Sequence, residues 1–223
     1  MPEAGEPRHH LSLADLRENY GADELSENDC AASPIEQFEN WFQQAQAAGV
    51  KEPNAMTLAT SGASCRPSAR VVLLKDVSDL GFVFYTNRHS RKGEELAENP
   101  FCALTFYWPE MERQVRIEGR VERLSRSESE VYFRSRPRGS RLGAWASEQS
   151  RVLTGREVLE ARLAELERQY DGQEEIPMPP SWGGYRVIPD CAEFWQGRLN
   201  RLHDRLRYRT VEGSGWVLER LAP

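Results

Sequence analysis

The chain has 223 residues, of which 39% are hydrophobic and 29% are charged, and its formal net charge is −6 at pH 7. This composition is typical of a globular protein that is long enough to bury a full core in one or two domains. The acidic balance argues against a general binder of nucleic acid or of anionic membranes. No apolar run reaches the length that a transmembrane helix needs.

The cysteines and the first residues indicate the cellular compartment. Cys30, Cys65, Cys102 and Cys191 lie far apart and form no CxxC pair. They are therefore interpreted as reduced thiols, and no metal site is predicted. The first residues lack the basic and then apolar layout of a secretory signal. We expect a cytoplasmic protein that binds neither nucleic acid nor membranes.

The first half of the chain predicts an arm, a helix and a series of strands. Residues 1–32 are polar and acidic and predict a flexible N-terminal arm, whereas residues 33–223 predict one domain. Ser33-Pro34-Ile35-Glu36 predicts a helix start, because serine can cap it, proline suits its first position and Glu36 completes a capping box. Gly49 is the predicted end of this helix. Strands are then predicted at residues 56–60, 69–75, 81–86, 102–108 and 114–124.

Four further helices are predicted between and after these strands. A short helix is expected at residues 90–98, and a capping box at Ser125–Glu128 opens another that Pro137 ends. Residues 140–147 predict a short helix. Residues 156–170 predict an amphipathic helix with leucines on one stripe.

The end of the chain returns to strands. Two or three of them are predicted after residue 181, with Gly213-Ser214-Gly215 as a hairpin turn. Many short strands with few long helices predict a mainly β, α+β fold, namely an antiparallel barrel with helices packed outside it.

Five basic residues alternate near the C-terminus. On an extended strand, Arg201, His203, Arg205, Arg207 and Arg209 would share one face, because alternate residues point to the same side. Like charges placed so closely predict an anionic ligand, and a compact phosphate compound suits an acidic protein better than a polymer does. Alternatively, the segment is a solvated edge strand that discourages edge-to-edge pairing.

Two more segments carry cations that suit anions. Arg70 and Lys75 bracket a buried strand, and their opposite parity points them to two different anions unless a bulge brings them together. Further on, the strand ending at Tyr85-Thr86-Asn87 leads through a polar turn into the helix start Ser90-Arg91-Lys92-Gly93, which predicts a phosphate cradle. The alternatives are solvated strand ends and an ordinary capped helix with exposed cations.

A phenol, a guanidinium and a hydroxyl recur at a spacing of four. Tyr132 and Arg136 would share a helix face and Ser140 would follow just beyond Pro137, so the three groups could surround a phosphate. Alternatively, they are scattered surface residues.

Uncharged hydrogen-bonding groups suit the edge of a heteroaromatic ring. Gln114, Gln149 and Ser150 offer such groups, although each means little alone. Trp195 could stack on a ring, but by default it is expected in the core.

A series of motifs follows one another in a specific order. The most specific part is SRPRGS, followed by EFWQGRLNRLHDR and RLAP. The full set is SARVVLLK (68–75), FYTN (84–87), SRKG (90–93), RQVRIEG (113–119), YFRSRPRGSRLGAWAS (132–147), QS (149–150), SWGGYR (181–186), EFWQG (193–197), RLHDR (201–205) and the terminal ERLAP. On these motifs, the chain resembles the pyridoxamine/pyridoxine 5'-phosphate oxidase family from about residue 36 to its end.

The resemblance implies a fold, a cofactor and a reaction. The family has an FMN-binding split-barrel fold with Greek-key connections and works as a homodimer, with FMN at the interface and in contact with both chains. It oxidises pyridoxamine 5'-phosphate or pyridoxine 5'-phosphate to pyridoxal 5'-phosphate. Molecular oxygen re-oxidises the flavin and yields hydrogen peroxide, and the amine substrate also releases ammonia.

The resemblance also implies roles for individual residues. It gives Arg201 and His203 the catalytic positions. The implied FMN contacts are Arg70, Val71, Val72, Leu73, Tyr85, Thr86, Arg91, Lys92, Gln114, Gln149, Ser150, Trp195 and Arg205. The implied substrate contacts are Lys75, Tyr132, Arg136, Ser140, Arg201, Leu202 and His203, with Arg17 and Tyr20 as lid contacts.

One segment near the N-terminus departs from the family pattern. LRENY (16–20) matches the family's Arg-x-x-Tyr element, but the acidic stretch GADELSENDCAAS follows it where a basic or mixed stretch is expected. An acidic lid would attract a phosphate less.

The rival functions are of two classes. One is another split-barrel flavin oxidoreductase, which would not need a second phosphate clamp. The other is a non-catalytic carrier of pyridoxal 5'-phosphate or FMN.

Overall fold

The computed structural model describes residues 20–21, 23–213 and 215–223. Within these residues, five α-helices accompany nine β-strands, together with three short 3-10 turns. The helices are α1 (Pro34–Ala47), α2 (Arg91–Glu98), α3 (Arg126–Ser135), α4 (Arg138–Ala146) and α5 (Arg156–Gln169). The strands are β1 (Ala55–Ser61), β2 (Pro67–Leu73), β3 (Asp76–Ser78), β4 (Gly81–Asn87), β5 (Phe101–Trp108), β6 (Arg113–Arg123), β7 (Trp182–Gln196), β8 (Asp204–Val211) and β9 (Gly215–Arg220).

The strands form one antiparallel sheet in the order β2-β1-β5-β6-β7-β4-β3, with β8 and β9 attached beside β7. The long strand β7 divides the sheet, because its first residues pair with β4 and its last residues pair with β8. A register shift in the β6–β7 ladder falls at Glu118/Gly119. Gly119 is required there, since a Cβ atom would lie 2.1 Å from the carbonyl oxygen of Ile188. The mainly β fold with peripheral helices is confirmed.

The predicted helix boundaries agree closely with the structure. Ser33 caps α1 by accepting a hydrogen bond from the Glu36 N–H, and Ser125 and Glu128 form the predicted capping box of α3. Pro137 follows α3 and stands at the N-cap of α4, so α4 begins at Arg138, slightly earlier than predicted. In α5 no residue is fully buried, so its leucine stripe is only half covered.

The second strand ends earlier than predicted. It stops at Leu73, because the N–H of Leu74 bonds to Asn54 O and the N–H of Lys75 bonds to Val83 O of β4. The chain therefore leaves the β1 edge and crosses to β4. This bend, and not a bulge, allows Arg70 and Lys75 to line one cleft despite their opposite parity.

The core lies between α1 and the inner face of the sheet. Phe38 of α1 packs with its ring centroid 5.0 Å from that of Phe82 and 4.9 Å from that of Phe106. Aromatic residues from β7 and β8 complete this layer, including Phe194 and Tyr208, which are almost fully buried. Burial of these large side chains provides the main stabilisation and fixes the sheet as a frame for the site.

The acidic segment after Tyr20 packs against the last two strands. Leu25 is 4% exposed, Glu27 forms an ion pair of 2.8 Å with Arg220, and the Tyr208 hydroxyl donates a hydrogen bond to Ala31 O. Residues 23–32, expected as part of a flexible arm, thus contact the domain closely. Residues 1–19, which include Arg17, lie outside the described part of the chain.

No helix within the described residues is long and apolar enough to cross a membrane. The same residues contain no cluster of His, Cys, Asp or Glu that could hold a metal ion.

Candidate functional site

A cleft of about 800 Å³ opens between the β2 and β4 strands and the helices α2, α3 and α4. Its size is that of a typical cofactor pocket. The separate segments meet here because the sheet curls and brings β2, at one end of the strand order, close to β4, next to the other end. The predicted site residues that line it are Arg70, Val71, Val72, Leu73, Lys75, Tyr85, Thr86, Arg91, Lys92, Tyr132, Arg136, Ser140, Gln149 and Ser150.

Lys92 is the buried cation of this cleft. It lies in the first turn of α2, where Ser90 caps the helix and Gly93 is required because a Cβ would lie 2.3 Å from Arg88 O. The ammonium donates to Thr86 Oγ1 at 3.2 Å and to Gln149 Oε1 at 3.0 Å, which are both neutral oxygens. Burial, together with the nearby Arg70, lowers the pKa of Lys92 to about 8. A buried ammonium held by neutral groups favours an incoming anion.

Arg70 forms a second part of the cleft wall, and Glu95 holds it in place. Arg70 donates to Leu58 O at 3.2 Å, to Thr60 and to Ser68, and its Nη2 lies 3.3 Å from Glu95 Oε2. Burial raises the pKa of Glu95, but hydrogen bonds from Ser68, Thr60 and Arg91 outweigh it and hold this pKa at about 2. Glu95 thus fixes Arg70 and Arg91 at the entrance of α2. Glu95 was not among the predicted site residues, although its i,i+4 spacing from Arg91 indicates an ion pair.

Glu95→Gln is expected to destabilise the protein by about 1–3 kcal/mol near neutral pH, since the partners of this partly buried group lose its charge and one of its two acceptor oxygens. The folded-state pKa of about 2 lies below the ordinary 4.5. The ionised carboxylate therefore stabilises the fold above about pH 4.5, and this contribution is lost as the pH falls toward 2. Thermal melts of both proteins across that range measure it. The exposed Glu165→Gln serves as the control, and a constant difference down to pH 2 would contradict the assignment.

Arg136 forms a second cationic region of the cleft. Its guanidinium lies 4.9 Å from the ring centroid of Trp182 and 5.6 Å from that of Phe133. Burial lowers the pKa of Arg136, and its Nη1 atom is buried without a hydrogen-bond partner in the described part of the chain. A buried donor without a partner is costly, so this position favours a ligand that accepts a hydrogen bond.

Aromatic rings form the wall beside Arg136. Tyr85 stacks on Tyr132 with ring centroids 4.1 Å apart and on Trp182 at 5.2 Å. Tyr132 and Ser140 also line the cleft, as does the exposed Lys75. Trp182, quoted within SWGGYR but given no role, is the residue that links these rings to Arg136. The cleft therefore holds two cationic regions, one around Lys92 and one around Arg136.

The remaining predicted residues lie outside this cleft, in what we call the C-terminal cluster: Tyr20, Gln114, Trp195, Arg201, Leu202, His203 and Arg205. Gln114 pairs with Trp195 in the β6–β7 ladder, and Trp195 pairs with Arg205 in the β7–β8 ladder. Trp195 is half-buried, so its default placement in the core was wrong. Its ring lies 4.6 Å from that of His203 and 5.8 Å from that of Tyr20.

The continuous cationic face predicted at residues 201–209 is wrong in two respects. β8 begins only at Asp204, while Arg201 belongs to a short 3-10 turn and has a φ of 62°. In addition, carboxylates on neighbouring strands balance the strand arginines. Arg205 forms a bidentate pair with Glu193, at 2.8 and 3.0 Å. Arg207 and Arg209 both pair with Glu219.

The cleft and the C-terminal cluster share one face of the sheet. Residues directly opposite each other in antiparallel strands point to the same side. Cross-strand pairs run from Val71 through Thr57 and Thr105 to Arg116, and from there through Glu193 to Arg207. We call the side of the sheet on which these residues lie the outer face. Val71 is 68% exposed on it, which is unusual for valine.

Comparison with known proteins identifies the family of this chain. Residues 42–170 match the family model described as pyridoxamine 5'-phosphate oxidase. Residues 182–223 match the pyridoxine 5'-phosphate oxidase C-terminal dimerisation region. Two curated relatives are named pyridoxine/pyridoxamine 5'-phosphate oxidase. The one from Cyanothece sp. strain PCC 7425 is 58% identical over 96% of this chain and 99% of its own length. The one from Paraburkholderia phymatum is 58% identical over 95% and 99%.

Two solved structures share the architecture. PhzG from Burkholderia lata 383, in complex with tetrahydrophenazine-1-carboxylic acid, superposes with a TM-score of 0.84 at 36% identity, covering 91% of this chain and 99% of its own. A pyridoxamine 5'-phosphate oxidase-related, FMN binding protein from Nostoc punctiforme superposes with a TM-score of 0.69 at 15% identity, covering 87% and 100%, which shows the fold alone.

Fold and family matches together define an oxidoreductase with a split-barrel fold. The expected split-barrel fold is thereby confirmed. The chain belongs to the pyridoxamine 5'-phosphate oxidase family.

Proposed function

We propose that this protein is an FMN-dependent oxidase that converts pyridoxamine 5'-phosphate or pyridoxine 5'-phosphate to pyridoxal 5'-phosphate. Two electrons and two protons pass from the substrate to O2, giving hydrogen peroxide. With the amine substrate, water releases ammonia. The observation that carries the proposal is the pair of cationic regions in one cleft, since the reaction needs two phosphorylated compounds side by side.

The region around Lys92 suits the FMN phosphate. Its buried ammonium contacts only neutral oxygens, and Arg70 and Arg91 add positive charge at the entrance of α2. Thr86, Gln149 and Ser150 supply uncharged groups beside them. The β2 backbone at Val71, Val72 and Leu73 together with Tyr85 would hold the rest of the cofactor. FMN, when bound, supplies the two-electron acceptor that O2 re-oxidises.

The region around Arg136 suits the substrate phosphate. Its buried Nη1 atom needs an acceptor, and Tyr132, Ser140 and Lys75 offer a phenol, a hydroxyl and an ammonium in the same cleft. A phosphate held at the distal end of the substrate fixes the reacting carbon against the cofactor, which lowers the entropic barrier. The wall of Tyr85 and Trp182 excludes water from one side of this clamp.

The C-terminal cluster would complete the site from a second copy of the chain. The match of residues 182–223 to a dimerisation region supports a homodimer, and so does the exposed Val71 on the outer face. In that dimer, the FMN bound by one chain would be contacted by Gln114, Trp195 and Arg205 of the other. The substrate beside it would be contacted by Arg201, Leu202 and His203 of that second chain. Tyr20 and Arg17 would cover them. There Arg201 would add a positive charge that can stabilise negative charge on the bound cofactor.

An anaerobic titration tests the proposed function. Purified protein loaded with FMN is expected to lose its flavin absorbance when pyridoxamine 5'-phosphate is added, and to release hydrogen peroxide once O2 is admitted. Unchanged absorbance would indicate a carrier. Bleaching by a nicotinamide dinucleotide alone would indicate another flavin oxidoreductase. Oxidation of an unphosphorylated aromatic carboxylate in preference would indicate a reaction on the kind of ligand bound to PhzG.

A further inference from the structure

The guanidinium of Arg136 is held by aromatic rings and, among the described residues, by no carboxylate. It lies 4.9 Å from the ring centroid of Trp182 and 5.6 Å from that of Phe133. Its Nη1 atom is buried without a hydrogen-bond partner in that part of the chain, and burial lowers its pKa. Arg186, by contrast, forms an ion pair of 2.7 Å with Glu122, whose hydrogen bond raises the pKa of that arginine.

An aromatic face and a carboxylate stabilise a cation in different ways. The negative face of an indole attracts a guanidinium, and the attraction is strongest where water is excluded. A carboxylate also attracts the guanidinium, but it neutralises the charge and would repel a phosphate that binds beside it. The indole of Trp182 can therefore hold Arg136 and leave its positive charge available to an anion.

The fold fixes Trp182 in place. Its side chain is buried, its backbone N–H donates to Pro179 O at 3.1 Å, and it pairs with Asn87 in the β4–β7 ladder. Its ring is nearly parallel to that of Tyr85, with an interplanar angle of 10° and centroids 5.2 Å apart. The Phe133 ring meets it edge-on at 5.1 Å. The orientation of the indole is thus determined by residues from three separate elements.

The backbone of Arg136 is also fixed, but its long side chain is not. Arg136 stands at the C-cap of α3, where its N–H donates to Phe133 O at 3.2 Å. An arginine side chain has several rotatable bonds, and ordering them when a ligand binds costs free energy. A contact that orders the side chain beforehand removes part of this cost.

We propose that Trp182 is a positioning residue of the substrate phosphate site, where its indole face orders the Arg136 guanidinium and keeps its charge available to the phosphate. The identity of the phosphate compound rests on the proposed function, whereas the contact between the two side chains does not. Tyr132, which is expected to bind the same phosphate, belongs to the same group of rings, with its centroid 6.2 Å from that of Trp182.

Two substitutions at position 182 test the aromatic contact. Trp182→Leu removes the ring, and Trp182→Phe keeps a weaker ring face. We expect KM for pyridoxamine 5'-phosphate to rise about 10-fold in Trp182→Leu and about threefold in Trp182→Phe, with kcat and FMN affinity within about twofold of wild type. Trp145→Leu removes a tryptophan that does not line the cleft and should keep the wild-type KM. A similar loss toward pyridoxamine without its phosphate would overturn the proposal, since Trp182 would then support the cleft as a whole.

A double-mutant cycle shows whether Trp182 acts through Arg136. In the Arg136→Ala background, Trp182→Leu should raise KM by less than about twofold, because the guanidinium that the indole would hold is absent. The same loss in both backgrounds would overturn the proposal. If Trp182→Leu does not fold, the cycle is run with Trp182→Phe, whose effect of about threefold should likewise vanish in Arg136→Ala.

A binding measurement separates this inference from the proposed function. 4-Deoxypyridoxine 5'-phosphate carries the substrate phosphate but lacks the amine or alcohol to be oxidised. Calorimetric titration of the FMN-loaded protein with it should show about 10-fold weaker binding in Trp182→Leu. Wild-type affinity in this variant would refute the inference. If binding shows the coupling to Arg136 but pyridoxamine 5'-phosphate is not oxidised, the proposed function fails and the positioning role stands.

Discussion

Lys92→Ala is expected to weaken FMN binding on the order of 10²- to 10³-fold, because a buried charge-assisted contact to the phosphate is lost. The ammonium of Lys92 already lies in a cage of neutral oxygens from Thr86, Ser90 and Gln149. The free-energy cost of desolvating the ammonium therefore falls on protein folding. An anion that binds later gains the electrostatic contact without that cost. Titration of the apoprotein with FMN, followed by quenching of flavin fluorescence, measures the affinity.

The control and the pH dependence make this prediction specific. Lys51→Ala removes an exposed lysine and should leave FMN affinity unchanged. In the FMN-free protein the pKa of Lys92 is about 8, lowered from 10.5 by burial. Lys92 therefore loses its proton as the pH rises through about 8, and FMN affinity should fall above that pH in the wild type but not in Lys92→Ala. Wild-type affinity in the variant would show that the phosphate lies elsewhere.

Arg136→Ala is expected to reduce kcat/KM for pyridoxamine 5'-phosphate on the order of 10²-fold, mainly through KM. The guanidinium is held over Trp182 and Phe133, with one buried N–H that lacks a partner in the described residues. A phosphate that accepts from it would gain a charge-assisted hydrogen bond in a partly desolvated place. Steady-state kinetics of the FMN-loaded variant measure the effect.

The comparison substrate is pyridoxamine without its phosphate. The variant and the wild type should use it equally poorly, because only the phosphate contact differs. Arg134→Ala, an exposed neighbour on α3, is the matched control and should keep wild-type kinetics with both substrates. An equal loss of activity toward the phosphorylated and unphosphorylated compounds would mean that Arg136 supports the fold of the cleft and not the phosphate.

The sequence predicts those parts of the fold that depend on local chemistry. The caps at Ser33 and Ser125 and the position of Pro137 set the helix boundaries, since a helix terminus is satisfied by residues within one turn. The end of β2 could not be predicted in this way. It is set by the hydrogen bond from Lys75 N to Val83 O, which depends on where β4 lies in space.

In the candidate site, too, local patterns can be predicted from the sequence, whereas contacts between distant segments cannot. A pattern of alternating arginines is visible in the sequence, but Glu193 and Glu219, which balance Arg205, Arg207 and Arg209, come from adjacent strands. Their pairing depends on strand register, which alternation alone does not reveal. The residues of the cleft could be grouped only through the family resemblance, because they come from β2, β4 and three separate helices. The hydrogen bond from the Arg198 N–H to His203 Nδ1 likewise depends on a loop conformation that no motif specifies.

The length of β7 bears on how many subunits one active site requires. Trp182 at its start and Trp195 near its end are 13 positions apart, which corresponds to roughly 40 Å along an extended strand at about 3.3 Å per residue. Trp182 stands beside the cofactor cleft and Trp195 in the C-terminal cluster. In the proposed homodimer, each β7 therefore separates two active sites. An isolated subunit would carry part of each of them and no complete active site.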